Sequence, residues 1–170
     1  RALLLTDLVD STRLAEKLGE AALADLWAEH DRAARDLLPQ WRGREIDKTD
    51  GMLLLFDTAA DAVGYALAYH RVLARQSTAL WARAGLHVGP VLLRENDAAD
   101  VARGAKPIEV DGLAKSVAAR VMSVARGGQT LLSAEARESL GATTLKLQSH
   151  GHWMVKGVTD PIELFQVGEA

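Results

Sequence analysis

Between Arg44 and Phe56 the chain runs Arg44-Glu45-Ile46-Asp47-Lys48, then Asp50-Gly51, then Met52-Leu53-Leu54-Leu55-Phe56. Two strand-like runs joined by Asp-Gly are a strong short-range hairpin signal, because glycine accepts the positive φ that a tight turn needs. A hairpin makes an antiparallel pair, which argues against an all-parallel, doubly wound sheet.

The rest of the chain must fit around that hairpin. Residues 2–7 are expected to form a short strand, and its unbroken leucines imply cover on both faces. Ser11 or Thr12 is the expected N-cap of a helix that ends near Leu18 at Gly19. A second helix over about 20–38 follows from Leu23, Leu26, Trp27, Leu37 and Leu38 at three- and four-residue spacing, with Pro39 as its stop. Further helices are expected over 59–75, 113–125 and 134–140, the last capped by Ser133. Strands are expected over 80–88, 91–93, 129–132, 144–156 and 161–167, and residues 94–110 are expected to be irregular. This order predicts an α/β fold, specifically an α+β sandwich of ferredoxin-like layout with helices packed on a mixed sheet.

At 170 residues the chain suits one domain (1–170) able to bury a core without staples. Its net charge of −3 argues against a nucleic-acid polymer or an acidic membrane surface as partner. The absence of cysteine excludes disulfides, thiolate metal sites and a cysteine nucleophile. No apolar run approaches the ~20 residues of a membrane helix. The abrupt start at Arg1-Ala2-Leu3 points to excision from a longer multidomain protein.

Two aspartates carry the chemistry. Asp7 ends the first strand just before a helix start, and Asp50 stands at the hairpin turn. If neighbouring strands bring them together, two carboxylates suit Mg²⁺ or Mn²⁺, hard ions that share oxygen ligands with phosphates. Backbone N–H groups of residues 8–12, at a helix start, would then face the phosphates. From spacing alone Asp7 is equally a simple strand-end carboxylate, and Asp50 equally a turn former.

Six stretches in order carry a resemblance. Leu5-Thr6-Asp7-Leu8-Val9-Asp10-Ser11-Thr12 resembles the opening motif of class III adenylate/guanylate (nucleotidyl) cyclase catalytic domains. Asp50-Gly51 is similar to their second metal motif and Gly85-Leu86-His87-Val88-Gly89 to their central strand. Val117-Ala118-Ala119-Arg120-Val121 resembles the catalytic helix and Gly128-Gln129-Thr130-Leu131-Leu132-Ser133 the strand after it. Val155-Lys156-Gly157-Val158 resembles the C-terminal hairpin. The resemblance implies a nucleotidyl cyclase fold that converts ATP, or less readily GTP, to a 3′,5′-cyclic nucleotide and pyrophosphate. It implies two Mg²⁺ or Mn²⁺ ions on Asp7, Asp50 and the Leu8 backbone carbonyl, with phosphates on Val9, Asp10, Ser11, Thr12 and Lys156. Arg120 would meet the transition-state phosphate and Ser116 would orient the ribose. The site would be completed across a homodimer, in a cytoplasmic domain without direct membrane contact, any tether or sensor lying outside this stretch.

The departures are specific. Ser116 stands where the family has asparagine, Thr49 where it has the glycine before the second aspartate, and Asp10 where glycine is frequent. Ile46 fills the slot of the base-reading lysine. Lys48, two residues on and on the same strand face by the period-two rule, is the candidate replacement, with Glu109 as the second base-reading position. A rival expectation follows: a degenerate cyclase-homology domain that dimerises, binds nucleotide and regulates its neighbours without turnover.

Other features point to structure. His30 and His70 lie on or beside helical apolar stripes and are expected to be partly buried. Only His150 and His152 have metal-like spacing. Trp27, Trp41, Trp81 and Trp153 are too scattered for a stacking platform and are expected in the core or on a dimer face. The segment 94–106 is expected to be a solvated arm, with Arg103 and Lys106 as its candidates to reach a triphosphate or a partner.

Overall fold

The computed structural model describes residues 1–49, 51–156 and 159–168. Its centre is the strand the leucine run predicts, β1 (Ala2–Leu8), flanked on one side by the hairpin β2 (Arg44–Lys48) and β3 (Gly51–Phe56) and on the other by β4 (Ala82–Val88). β7 (Thr130–Ser133), β9 (Ile162–Gly168) and β8 (Lys146–Trp153) extend the sheet to the order β2-β3-β1-β4-β7-β9-β8. Every pairing is antiparallel except β4 with β7, so the sheet is mixed, as the hairpin requires.

The helices sort onto two faces. α1 (Ser11–Leu18), α2 (Glu20–Asp36), α3 (Ala59–Ala74) and α6 (Ala134–Leu140) serve one face. The alanine-rich α3 buries its inner side fully, including Tyr65 and Tyr69, and packs on Leu4, Leu54 and Leu86. Thr58 caps it by accepting a hydrogen bond from the Asp61 N–H. α5 (Leu113–Val124) covers the other face, where Leu3, Leu53 and Leu55 meet Ala114 and Ala118. α5 lies close on β4 because Gly85 has no side chain: a Cβ there would strike the backbone of Met122.

Three expectations are corrected. The N-cap of α1 is neither Ser11 nor Thr12 but Asp10, which adopts a left-handed conformation (φ 59°) and makes no side-chain cap bond. Asparagine and aspartate tolerate that region better than other side chains with a Cβ, so Asp10 can hold a geometry that glycine adopts readily. Residues 94–110 are not irregular: the strand expected over 91–93 runs on as β5 (Leu92–Glu95), and with α4 (Ala98–Ala102) and β6 (Ile108–Asp111) it forms a small unit in which β5 and β6 pair. Leu93, Ile108 and Val110 fold its apolar side onto Ile46. The third correction concerns β2. Glu45 pairs with Leu54 and Asp47 with the adjacent Leu53, so Ile46 is an extra, bulged residue.

Candidate active site

Asp7 comes from the end of β1 and points to the α5 face, as do Leu3 and Leu5 by strand alternation. Across the sheet it stands opposite Gly51 on β3 and opposite Arg83 on β4. Arg83 donates from Nη2 to Asp7 Oδ2 at 2.5 Å, and both side chains are about a third exposed. Gly51 holds the hairpin close, because a Cβ there would collide with the Thr6 carbonyl. Asp50 lies outside the described residues.

Asp7 lines a hollow of about 250 Å³ together with Leu5, Asp47, Leu53, Lys115 and Met122. The bulge at Ile46 puts Asp47 there, since both residues turn to the α5 side. Lys106, exposed on the small β5–β6 unit, reaches Asp47 with Nζ at 2.8 Å from Oδ2, and that hydrogen bond holds the Asp47 carboxyl below its ordinary range. Beside it a smaller hollow is lined by Ile46, Lys106, Glu109 and Lys115. Glu109 is engaged by Arg94, 2.7 Å away.

The same bulge overturns the expectation for Lys48. One extra residue breaks the period-two rule, so Lys48 faces away from Ile46, toward α2. Its Nζ lies 3.1 Å from Asp31 Oδ2. Ile46 itself is packed into the apolar cluster beneath α5. Neither residue therefore presents a cation on the Asp7 side, and the lysine that does come near Ile46 and Glu109 is Lys106.

The turn after β1 supplies fewer donors than expected. The Val9 N–H is taken by the Trp81 carbonyl at 2.8 Å, which removes Val9 as a phosphate donor. The N–H groups of Asp10, Ser11 and Thr12 remain at the start of α1, since the first intrahelical bond is made by Leu14 to Asp10. Leu8 is the last residue of β1.

Ser116 and Arg120 lie one turn apart on α5. Ser116 is exposed and Arg120 half-buried, and the Arg120 guanidinium has no partner among the described residues. Neither lines the Asp7 hollow, whereas Lys115 and Met122 do. Lys156 is exposed beyond β8, and residues 157–158 lie outside the described part.

Sequence reasoning missed Arg83, Asp47 and Lys115. Arg83 lies on the alternate face of β4 from Ala82 and Ala84, but only the strand register sets it opposite Asp7. Asp7 offers the oxygen donors that a hard divalent ion takes, and Arg83 already occupies one of them. Among the described residues no three acidic or histidine side chains gather as a metal cluster.

His30 and His70 are at least partly buried, as expected. His30 and His87 are buried and His70 half-buried, and burial lowers the pKa of each. His70 bonds Thr130 and His87 bonds Ser133. His150 and His152 engage Gln166 and Glu163 rather than one another. Trp81 and Trp153 are exposed, Trp27 and Trp41 half-buried.

No family model matches the sequence, and no curated protein sequence does. Solved structures do match over nearly the whole chain. The adenylyl cyclase CyaB from P. aeruginosa superposes with a TM-score of 0.87 at 19% identity, over 99% of this chain and 93% of that one. The guanylyl cyclase Cya2 gives 0.88 at 21%, over 99% and 91%. An adenylate cyclase from Trypanosoma brucei, solved in its monomeric state, gives 0.86 at 22%, over 98% and 88%. At these identities the likeness establishes the fold: this chain has the architecture of adenylate and guanylate cyclase catalytic domains.

Proposed function

We propose that the domain is a nucleotidyl cyclase whose site is completed by a second copy of the chain. The observation that carries this reading is the separation within one chain. Asp7 floors a hollow on the α5 face, while Arg120, without a partner among the described residues, stands outside it. A guanidinium held free on a helix suits the phosphate of a nucleotide seated in another copy's hollow.

Asp7, Asp50 and the Leu8 carbonyl would hold Mg²⁺ or Mn²⁺. Bound there, the ions supply charge neutralisation on the phosphates and activate the attacking hydroxyl. The N–H groups of Asp10, Ser11 and Thr12 bind phosphate oxygens, with Lys156 on the terminal groups. Ser116 donates to the ribose and so orients its 3′-hydroxyl, and Arg120 meets the charge that builds on the α-phosphate. The 3′-oxygen bonds to the α-phosphorus, the bond from that phosphorus to the oxygen bridging to the β-phosphate breaks, and pyrophosphate leaves, the hydroxyl proton passing to solvent water. On the base side Glu109 accepts from an amino group, which favours ATP. Lys106 takes over the cationic role that Ile46 and Lys48 do not fill.

One observation favours the rival regulatory reading: Asp7 already carries Arg83, and an ion must share or displace it. A single assay separates the two. Purified domain is incubated with Mn²⁺ and ATP or GTP over a range of protein concentrations. Cyclic product, lost in Asp7→Ala and rising faster than protein concentration, supports the dimeric cyclase. No product at any concentration, with Asp7→Ala indistinguishable from wild type, leaves the regulatory reading.

A further inference from the structure

The sheet face opposite Asp7 has a hollow of its own, of about 380 Å³, between α1, α2 and the β2–β3 hairpin. Its size is that of a small-molecule site. Leu8, Leu23, Trp27 and Met52 give it apolar walls. Its polar groups are unusual in what they leave unspent. His30 Nδ1 donates to Asp31 Oδ1 at 2.9 Å, and Lys48 Nζ meets Asp31 Oδ2 at 3.1 Å. A neutral imidazole that donates from Nδ1 must accept at Nε2, so the Tyr69 hydroxyl donates to it at 2.6 Å. Both nitrogens of His30 and both oxygens of Asp31 are thereby engaged.

What remains is donor capacity. The Lys48 ammonium has three N–H bonds and, among the described residues, spends one on Asp31. The Thr12 hydroxyl on the rim makes no hydrogen bond to another described residue. An occupant must therefore bring acceptors to one end and an apolar body to the other. We infer that this hollow binds a small aromatic carboxylate, its carboxylate on Lys48 and Thr12 and its ring against Trp27. Charge-assisted hydrogen bonds from an ammonium to a carboxylate are the strong kind, and Asp31 keeps that ammonium in place.

The test is isothermal titration calorimetry on the whole chain with indole-3-acetate, and with tryptamine as the same ring bearing an ammonium. Saturable binding of indole-3-acetate is expected, with tryptamine at least about tenfold weaker. Lys48→Met should weaken indole-3-acetate by about tenfold or more, and Leu23→Trp, which fills the hollow without touching a polar group, should abolish it. Circular dichroism checks that both variants fold; Ala15→Phe on exposed α1 closes the same mouth should Leu23→Trp not. Absence of saturable binding, equal binding of tryptamine, or survival of binding in the cavity-filling variants each overturns the inference. None of these readouts depends on turnover, so an inactive domain leaves the test intact.

Discussion

The two faces of the sheet bury their polar groups to different depths. On the face under α2 and α3, Tyr69, His30, Asp31 and Lys48 form a chain in which each member answers the next. Tyr69 and His30 are almost wholly out of water, where a polar group must be hydrogen-bonded, so they are committed to one another. On the α5 face no polar pair goes so deep: Asp7 with Arg83 and Asp47 with Lys106 stay in contact with solvent beside an open hollow, and Arg120 has no partner among the described residues.

That contrast can be broken in four ways, from strong to weak. Arg120→Ala should lower cyclase turnover by about a thousandfold, the scale of an arginine that meets phosphoryl charge, while the melting temperature holds. A fall in melting temperature would mean that Arg120 supports the fold. Gly85→Ala pushes a methyl group into the Met122 backbone and should cost about 3 kcal/mol in urea unfolding, at the upper end for overpacking. An unchanged midpoint would show that α5 rides loosely on β4.

Tyr69→Phe removes the hydroxyl that donates to His30 Nε2 and should cost about 1–2 kcal/mol. A neutral result would mean that the chain of bonds on the covered face is not closed. The pH dependence is gentler. His30, His70 and His87 all have folded pKa values below the ordinary 6.5, chiefly through burial. As pH falls the unfolded chain takes up protons first, so their contribution is complete above about 6.5 and is lost below it. Melting temperatures should be level from about pH 8 to 7 and decline toward about 5.5. A flat profile would contradict the burial of these side chains.

The element order was legible because it depends on local patterns: the Asp-Gly hairpin, the apolar stripe of α3 and the Ser133 cap all appear where residue spacing puts them. Asp7 at a strand end was legible for the same reason. What escaped depends on pairing. A bulge leaves no mark in composition, yet the one at Ile46 moves Lys48 from one face to the other and admits Asp47 to the hollow. Arg83 became a partner of Asp7 only through register, and Val9 lost its N–H only because Trp81 passes beside it. Residues 94–110 looked irregular because β5 and β6 are four residues each and find stability against Ile46 rather than in their own sequence.

The single parallel pairing also shapes how the chain reaches this form. Four neighbouring strands, β2-β3-β1-β4, come from the first half of the polypeptide and can zip together through antiparallel contacts alone. The others join through β7, whose partner on β4 lies far back along the chain. Until that late docking, Ala84, Gly85 and Leu86 form an unprotected edge, the kind that recruits strands from other molecules. A ribosome delivering the chain from its N-terminus therefore exposes this edge for the time needed to synthesise the β5–β6 unit and α5, and that interval is where misassembly competes with folding.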